Sequence, residues 1–329
     1  MSAPVKMTMI DAINRALHDA MEENGKTLLL GEDIADPEDG GVFGATKGLS
    51  TRFGEDRVKS TPIAEQAIVG AAIGASLVGY RPIAEVMLMN FTTVAMDMLV
   101  NHAAKLRFMS GGQTNVPIVV RTMTGCGLSL GGQHSDFVEA WFAHTAGIKV
   151  VIPSNPNDAY GLLRAAIEDE DPVIFVETLS IYWTPGEVTF EPIELGKAKV
   201  VREGHDLTIV GYGQMVPHAL TVAGNLEAEG KSVEVIDLRT VAPWDRKTVL
   251  ASVRKTGRAL IVHEAVKEHG VGAEIAATIG EECFGALEAP VARLGAAFCA
   301  VPFSKPLENA FAPTAETIGA AAARLLATN

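Results

Sequence analysis

The chain has 329 residues, 48% of them hydrophobic and 20% charged, and a formal net charge of -13. That length and apolar content can bury more than one core, which argues against disorder and favours two domains. The acidic balance offers no basic stripe to release counterions from nucleic acid, and no apolar run is long enough to predict a membrane span.

Buried strands are expected at 27–30, 81–86, 116–120, 148–152 and 173–176, with helices at 67–78, 92–108 and 157–167 between several of them. This alternation is that of a doubly wound parallel α/β sheet. It lapses over 180–196, where prolines and glycines leave no clear period, and the domain boundary is placed there. A second alternation follows, with strands at 207–210, 232–236, 259–262 and 291–294 and helices at 217–228, 246–255 and 272–283. An alanine-rich helix at 315–327, with Glu316 near its start and Arg324 near its end, agrees with the helix dipole and closes the second domain. The expected fold is α/β with two doubly wound domains, 1–190 and 191–329.

The N-terminal segment lacks the apolar core and cleavage site of a signal peptide. Cys126, Cys283 and Cys299 are widely spaced and form no C-x-x-C pair. Both features fit a reducing compartment, so a cytoplasmic location is expected, without thiol-bound metal.

Glu65 stands at the mouth of an uncharged stretch that runs to Tyr80 and reads as a buried helix of small residues. An acid in a first helical turn offsets the dipole and can cap free N–H groups, and position alone favours that role over chemistry. Gly127-Leu128-Ser129-Leu130-Gly131 matches the G-x-S-x-G of serine hydrolases, but Ser129 falls inside a loop and not at a strand-to-helix elbow. The glycines around it resemble a dinucleotide fingerprint without the helix that should begin among them. His134 ends the same loop, where it can donate a proton or polarise a carbonyl, and equally reads as a surface or capping histidine. His263-Glu264 and Glu268-His269 look like a metal cluster, but their spacing puts the histidines on different sides of a helix, so a solvated charged loop is expected. A Gly-Asp-Gly segment for a magnesium-bound diphosphate is missing; the nearest match, Glu38-Asp39-Gly40-Gly41, lacks the leading glycine.

Segments in order along nearly the whole chain resemble the beta subunit of the thiamine diphosphate-dependent 2-oxo acid dehydrogenase component of pyruvate, acetoin and branched-chain complexes. They include Leu30-Gly31-Glu32-Asp33, Thr61-Pro62-Ile63-Ala64-Glu65, Gly79-Tyr80-Arg81-Pro82-Ile83-Ala84-Glu85, Gln133-His134-Ser135, Gly147-Ile148-Lys149-Val150-Val151 and Val235-Ile236-Asp237-Leu238-Arg239-Thr240. The resemblance implies a transketolase-like pyrimidine-binding domain followed by a transketolase C-terminal-like domain. It implies that Glu65 hydrogen-bonds the aminopyrimidine nitrogen of thiamine diphosphate, that Glu32 is a second acid near that ring, and that Met87 and Phe91 lie against it. His134 would face the substrate and the incoming lipoyl group. Carbonyls of Ile118, Ala166 and Ile167, with Asp169 and Asp171, match a monovalent-cation site, potassium in some members, although Asp171 replaces an amide. The missing Gly-Asp-Gly is then supplied with magnesium by an alpha subunit in an alpha2-beta2 heterotetramer, which acylates the lipoyl group of a dihydrolipoyl acyltransferase. Pyruvate is the expected substrate, with acetoin and branched-chain 2-oxo acids as alternatives. The reading from another class is a serine hydrolase using Ser129.

Overall fold

The structure, a computed structural model, describes residues 4–328. Two units separate by their contacts, Met1–Thr124 with Trp141–Leu195, and Gly125–Ala140 with Gly196–Asn329.

The first unit begins with β1 (Val5–Thr8), α1 (Met9–Glu23), β2 (Thr27–Gly31), α2 (Leu49–Phe53), β3 (Val58–Ser60), α3 (Glu65–Leu77) and β4 (Arg81–Leu88). It continues through α4 (Leu106–Met109) and β5 (Val119–Thr124), and after α5 (Glu139–Ala143) through β6 (Lys149–Val151), α6 (Pro156–Glu168), β7 (Val173–Thr178) and β8 (Pro185–Val188). Its sheet runs β6-β7-β5-β4-β2-β3 with every pair parallel. Parallel strands are covered on both faces, which is why they read as unbroken apolar runs. A Thr8–Asp11 capping box starts α1, whose Met9, Ile13, Leu17 and Met21 form one buried stripe. Asn155 caps α6, and Pro156 occupies the first turn, where its missing N–H costs nothing.

Two expected elements differ in this unit. The helix expected at 92–108 is a 3-10 turn at Met89–Thr93, a π-helical turn at Met98–Ala103 and the short α4. The hydroxyls of Thr92 and Thr93 donate back to the carbonyls of Met89 and Asn90, at 2.6 and 2.8 Å, in competition with regular helix bonding. The strand expected at 116–120 begins at Val119, because Pro117 has no N–H for a central ladder, and extends to Thr124 through Arg121. Arg121 is 1% exposed. Its guanidinium donates to Glu177 at 2.7 and 2.9 Å and to Glu85 at 2.6 Å, and the Tyr182 hydroxyl donates to the same Glu177 carboxylate.

The second unit contains β9 (Lys199–Arg202), β10 (Leu207–Gly211), α7 (Met215–Glu227), β11 (Val233–Asp237), β12 (Thr240–Ala242) and α8 (Arg246–Thr256). After these come β13 (Ala259–Val266), α9 (Val271–Glu282), β14 (Ala292–Ala296), α10 (Lys305–Phe311) and α11 (Ala315–Leu326). Its sheet runs β14-β13-β10-β11-β9, parallel except for the antiparallel edge strand β9. Leu207, Ile209, Val235, Leu260 and Val262 pack with Met215, Ala219 and Val222 of α7 and Ile318 and Ala322 of α11. The solvated loop expected around His263 and Glu264 is instead the buried end of β13, with the two residues 0% and 4% exposed. The apolar run 259–262 continues through them as strand. Among the described residues no His, Cys, Asp and Glu group could hold a metal ion, and no helix is long and apolar enough to cross a membrane.

Arg121→Met would strand two buried carboxylates. It should cost about 3–5 kcal/mol of stability in denaturant unfolding, and a cost below about 1 kcal/mol would contradict the ion network's role.

Candidate active site

The carboxyl ends of parallel strands are where open α/β sheets gather ligand-binding residues. Gly31 at the end of β2 is in register with Ser60 of β3 on one side and Glu85 of β4 on the other. Glu32 therefore leaves the sheet between the ends of two neighbouring strands. The Thr61 N–H donates to the Gly31 carbonyl at 2.8 Å, prolonging that pairing toward α3. Glu65 is the first residue of α3 and 7% exposed. The helix starts from Ala64 without a side-chain cap, so Glu65 keeps the dipole-offsetting position but its carboxylate is not the cap.

Glu32 is also 7% exposed, and its Oε1 is buried without a hydrogen-bond partner. Burial, then the neighbouring Glu65 charge, push the Glu32 carboxyl above its ordinary range, with smaller contributions from Asp33 and Glu85 and an opposing one from the Ala64 N–H. Two acids thus share one low-dielectric corner. Met87 follows Glu85 on β4, within the stretch where the register on β5 shifts between Glu85 and Leu88; it is half-buried. Phe91, also half-buried, sits in the 3-10 turn Met89–Thr93 beyond that strand. Glu85, Arg121 and Glu177 have no role in the sequence reading, where the available signal was a charge in the middle of an apolar strand.

The residues of the expected cation site do come together in this unit, but with donors of this chain on them. Arg81 Nη1 donates to the carbonyls of Ile167 and Asp169 at 3.1 Å each. The Ile118 carbonyl accepts from the Val173 N–H at 3.0 Å, and that of Ala166 from the Asp169 N–H at 3.3 Å. Lys149 Nζ lies 2.7 Å from both Asp169 carboxylate oxygens and 3.3 Å from Asp171, which Arg107 also binds at 2.5 Å. These carbonyls thus each accept an N–H of this chain, and both carboxylates are paired with its cations.

His134 belongs to the segment Gly125–Ala140, which groups with the second unit. It is half-buried, and its N–H donates to the Gly131 carbonyl at 3.1 Å. Ser129 lies beyond the end of β5 with φ +56°, and its hydroxyl is 3.4 Å from Glu308. The hydroxyl of a nucleophile elbow needs a base such as imidazole; this one faces a carboxylate in mid-loop. Behind the segment lie two buried acids, Glu264 and Glu139. The Cys126 N–H donates to Glu264 at 2.5 Å, and the Tyr212 hydroxyl donates to the fully buried Glu139 at 2.6 Å. Burial holds the Glu264 carboxyl up at about 7, against the pull of the Cys126 N–H, and raises Glu139 as well. Burial also holds the His263 imidazole down at about 4.

Residues 5–183 match the family described as transketolase, pyrimidine binding domain, and residues 196–318 match transketolase, C-terminal domain. A solved split gene transketolase, an inactive beta4 tetramer, superimposes with a TM-score of 0.80 at 25% identity, over 98% of this chain and 99% of that one. Transketolase from Pichia stipitis, at a TM-score of 0.70 and 18% identity over 99% of this chain and 46% of that one, shares the fold. Fold and sequence therefore define a transketolase-type chain. It is 46% identical to the pyruvate dehydrogenase E1 component subunit beta of Bacillus subtilis, over 91% of this chain and 93% of that protein. Identity is 43% to the corresponding mitochondrial subunit of Pisum sativum, over 98% and 91%. It is 44% to the acetoin:2,6-dichlorophenolindophenol oxidoreductase subunit beta of Cupriavidus necator, over 98% of each. The chain belongs to the family of beta subunits of the pyruvate and acetoin dehydrogenase E1 components.

Glu264 gives a pH prediction. Its carboxyl keeps a proton in the folded state up to about 7, whereas the unfolded chain releases it near 4.5. The folded state binds more protons between those values, so this contribution is complete below about pH 4.5 and is lost as pH rises through about 7. Thermal or denaturant unfolding should show Glu264→Gln removing a decline on the order of 3 kcal/mol over that window; an unchanged pH profile would contradict it.

Proposed function

We propose that the chain is the beta half of a thiamine diphosphate-dependent 2-oxo acid dehydrogenase, joined by an alpha subunit in an alpha2-beta2 heterotetramer. The observation that carries this reading is the buried Glu32–Glu65 pair at the strand ends, with Glu32 Oε1 lacking a partner. An unfilled buried acceptor beside a second acid suits the donors of an aminopyrimidine ring. Half-buried Met87 and Phe91 suit its apolar faces. The absence of a Gly-Asp-Gly segment in the sequence supports assigning magnesium and the diphosphate to the alpha chain.

Thiamine diphosphate, when bound, would supply a nucleophilic thiazolium carbon and an electron sink for decarboxylation. Glu65 holds and shares a proton with the pyrimidine nitrogen, and burial excludes water that would compete for it. Glu32 keeps a second carboxyl beside that ring. His134 faces the substrate and donates a proton as the acyl group passes to the lipoyl dithiolane of the acyltransferase. Pyruvate is the favoured substrate, supported by the Bacillus subtilis and Pisum sativum relatives. Acetoin is the second reading, favoured by the Cupriavidus necator relative's equal or greater coverage of both chains. The three free cysteines accord with a reducing cytoplasm.

Co-expressed with the neighbouring alpha-type chain, the wild type should reduce dye with pyruvate in a thiamine diphosphate-dependent manner. Glu65→Gln should lower that turnover by at least about 100-fold while sedimenting as the same heterotetramer; undiminished turnover would sink the mechanism. Higher kcat/KM with acetoin than with pyruvate would select the second substrate. At the Ile118–Asp171 set, potassium would compete with the Arg81 and Lys149 donors on Ile167, Asp169 and Asp171. Exchanging potassium for choline should leave the unfolding midpoint within about 1 °C, and a drop of about 2–4 °C or more, corresponding to about 1 kcal/mol or more in units of this size, would instead indicate a bound cation.

A further inference from the structure

Resting on the role proposed for His134, we infer that Glu308 is a positioning residue for its loop, accepting the Gly127 and Ser129 N–H groups and thereby fixing the backbone that presents the imidazole. The loop has little regular structure to occupy its backbone donors. Gly125, Gly127, Ser129 and Gly131 all have positive φ, at +115°, +122°, +56° and +77°. Such a path forms no ladder, and its N–H groups find their acceptors outside the loop. Glu308 supplies them from α10. The side chain is 2% exposed, and its Oε1 accepts from Gly127 at 2.7 Å and from Ser129 at 3.0 Å.

Lys305, one turn earlier on α10, closes the arrangement. Its Nζ donates to the Gly127 carbonyl at 2.6 Å and to Glu308 Oε2 at 3.0 Å. These bonds outweigh the desolvation of Glu308 and hold its carboxyl below its ordinary range, so it stays an ionised acceptor. Glu264 anchors the preceding residue through the Cys126 N–H. Farther along, a Cβ added at Gly132 would lie 3.2 Å from the Ala300 side chain, so the loop also rests on the segment before α10. The turn closed by the His134 N–H on Gly131 follows directly. The histidine thus follows, within a few residues, a backbone held by the buried carboxyl groups of Glu264 and Glu308.

The test uses the assembled complex with its alpha-type partner and two variants, Glu308→Ala and Glu308→Gln. The alanine variant should lower kcat for acyl transfer to a lipoyl domain on the order of 10- to 100-fold. Dye reduction and the KM for the 2-oxo acid should stay within about twofold, by the same positioning argument. Glu308→Gln keeps an Oε1 acceptor and should recover acyl transfer to within about threefold of the wild type. Unchanged acyl transfer in the alanine variant, or a glutamine variant as slow as alanine, would overturn the inference. Amide hydrogen exchange reads the clamp without activity: the Gly127 and Ser129 N–H groups should be protected in the wild-type complex, and exchange at free-loop rates would overturn it. Absence of wild-type dye reduction with every substrate would defeat the proposed function instead, and the exchange measurement would still decide the loop.

Discussion

The first unit depends on one buried guanidinium. Arg121 enters the middle of a parallel sheet, where a charge is costly unless it is paired and hydrogen-bonded, and it is held by Glu85 and Glu177 together. Desolvation works against its charge, but Glu177 and then Glu85 more than offset it and raise its pKa. The pairing lets Glu85 and Glu177 stand buried on the central strands. Glu85 in turn faces Gly31 across the ladder, where a Cβ would come within 2.9 Å of its own. Only glycine lets β2 and β4 approach so closely just before Glu32 leaves the sheet. The ion network and the acid pair are therefore one piece of architecture, coupled through the register of two strands.

The second unit solves a related problem differently. Its irregular segment, Gly125–Ala140, has backbone donors that no sheet can use, and Glu264 and Glu308 accept them. Glu308, held ionised, makes charge-assisted bonds to the backbone, and Glu264 accepts the Cys126 N–H from a buried position. Glu139 is kept in place by the Tyr212 hydroxyl in the same unit. Acids in this protein thus work in two ways. Some gather in a buried corner at the strand ends, and others hold loop backbone.

Much of the fold was legible because buried parallel strands write themselves as short apolar runs. β2, β4, β6, β7, β10, β11, β13 and β14 all fall on or beside such runs. Legibility failed where something other than periodicity decided the backbone. Thr92 and Thr93 sit in a stretch with helical spacing, yet their hydroxyls compete for carbonyls; Pro117 delays a strand its neighbours favour. His263 and Glu264 look solvated by composition, but β13 carries them inside, where the His263 Nδ1 is 3.0 Å from the Ala265 carbonyl and Glu264 meets Cys126. At the site, Glu65 was legible as an acid at a helix start, and its chemical reading came from resemblance. Glu308 carried no local signal, since its partners lie far back in the chain and only the tertiary fold joins them.

The account makes the chain half of a catalyst, with an acid pair for one ring of a cofactor and no sequence motif for the cofactor's diphosphate. Titrating the purified chain with its alpha-type partner, and following thiamine diphosphate-dependent dye reduction with pyruvate, acetoin and branched-chain 2-oxo acids, tests this most directly. Either chain alone should be silent, with turnover on at least one substrate rising to a plateau at equal stoichiometry. Turnover by the isolated chain, or an assembled complex silent with every substrate, would contradict it.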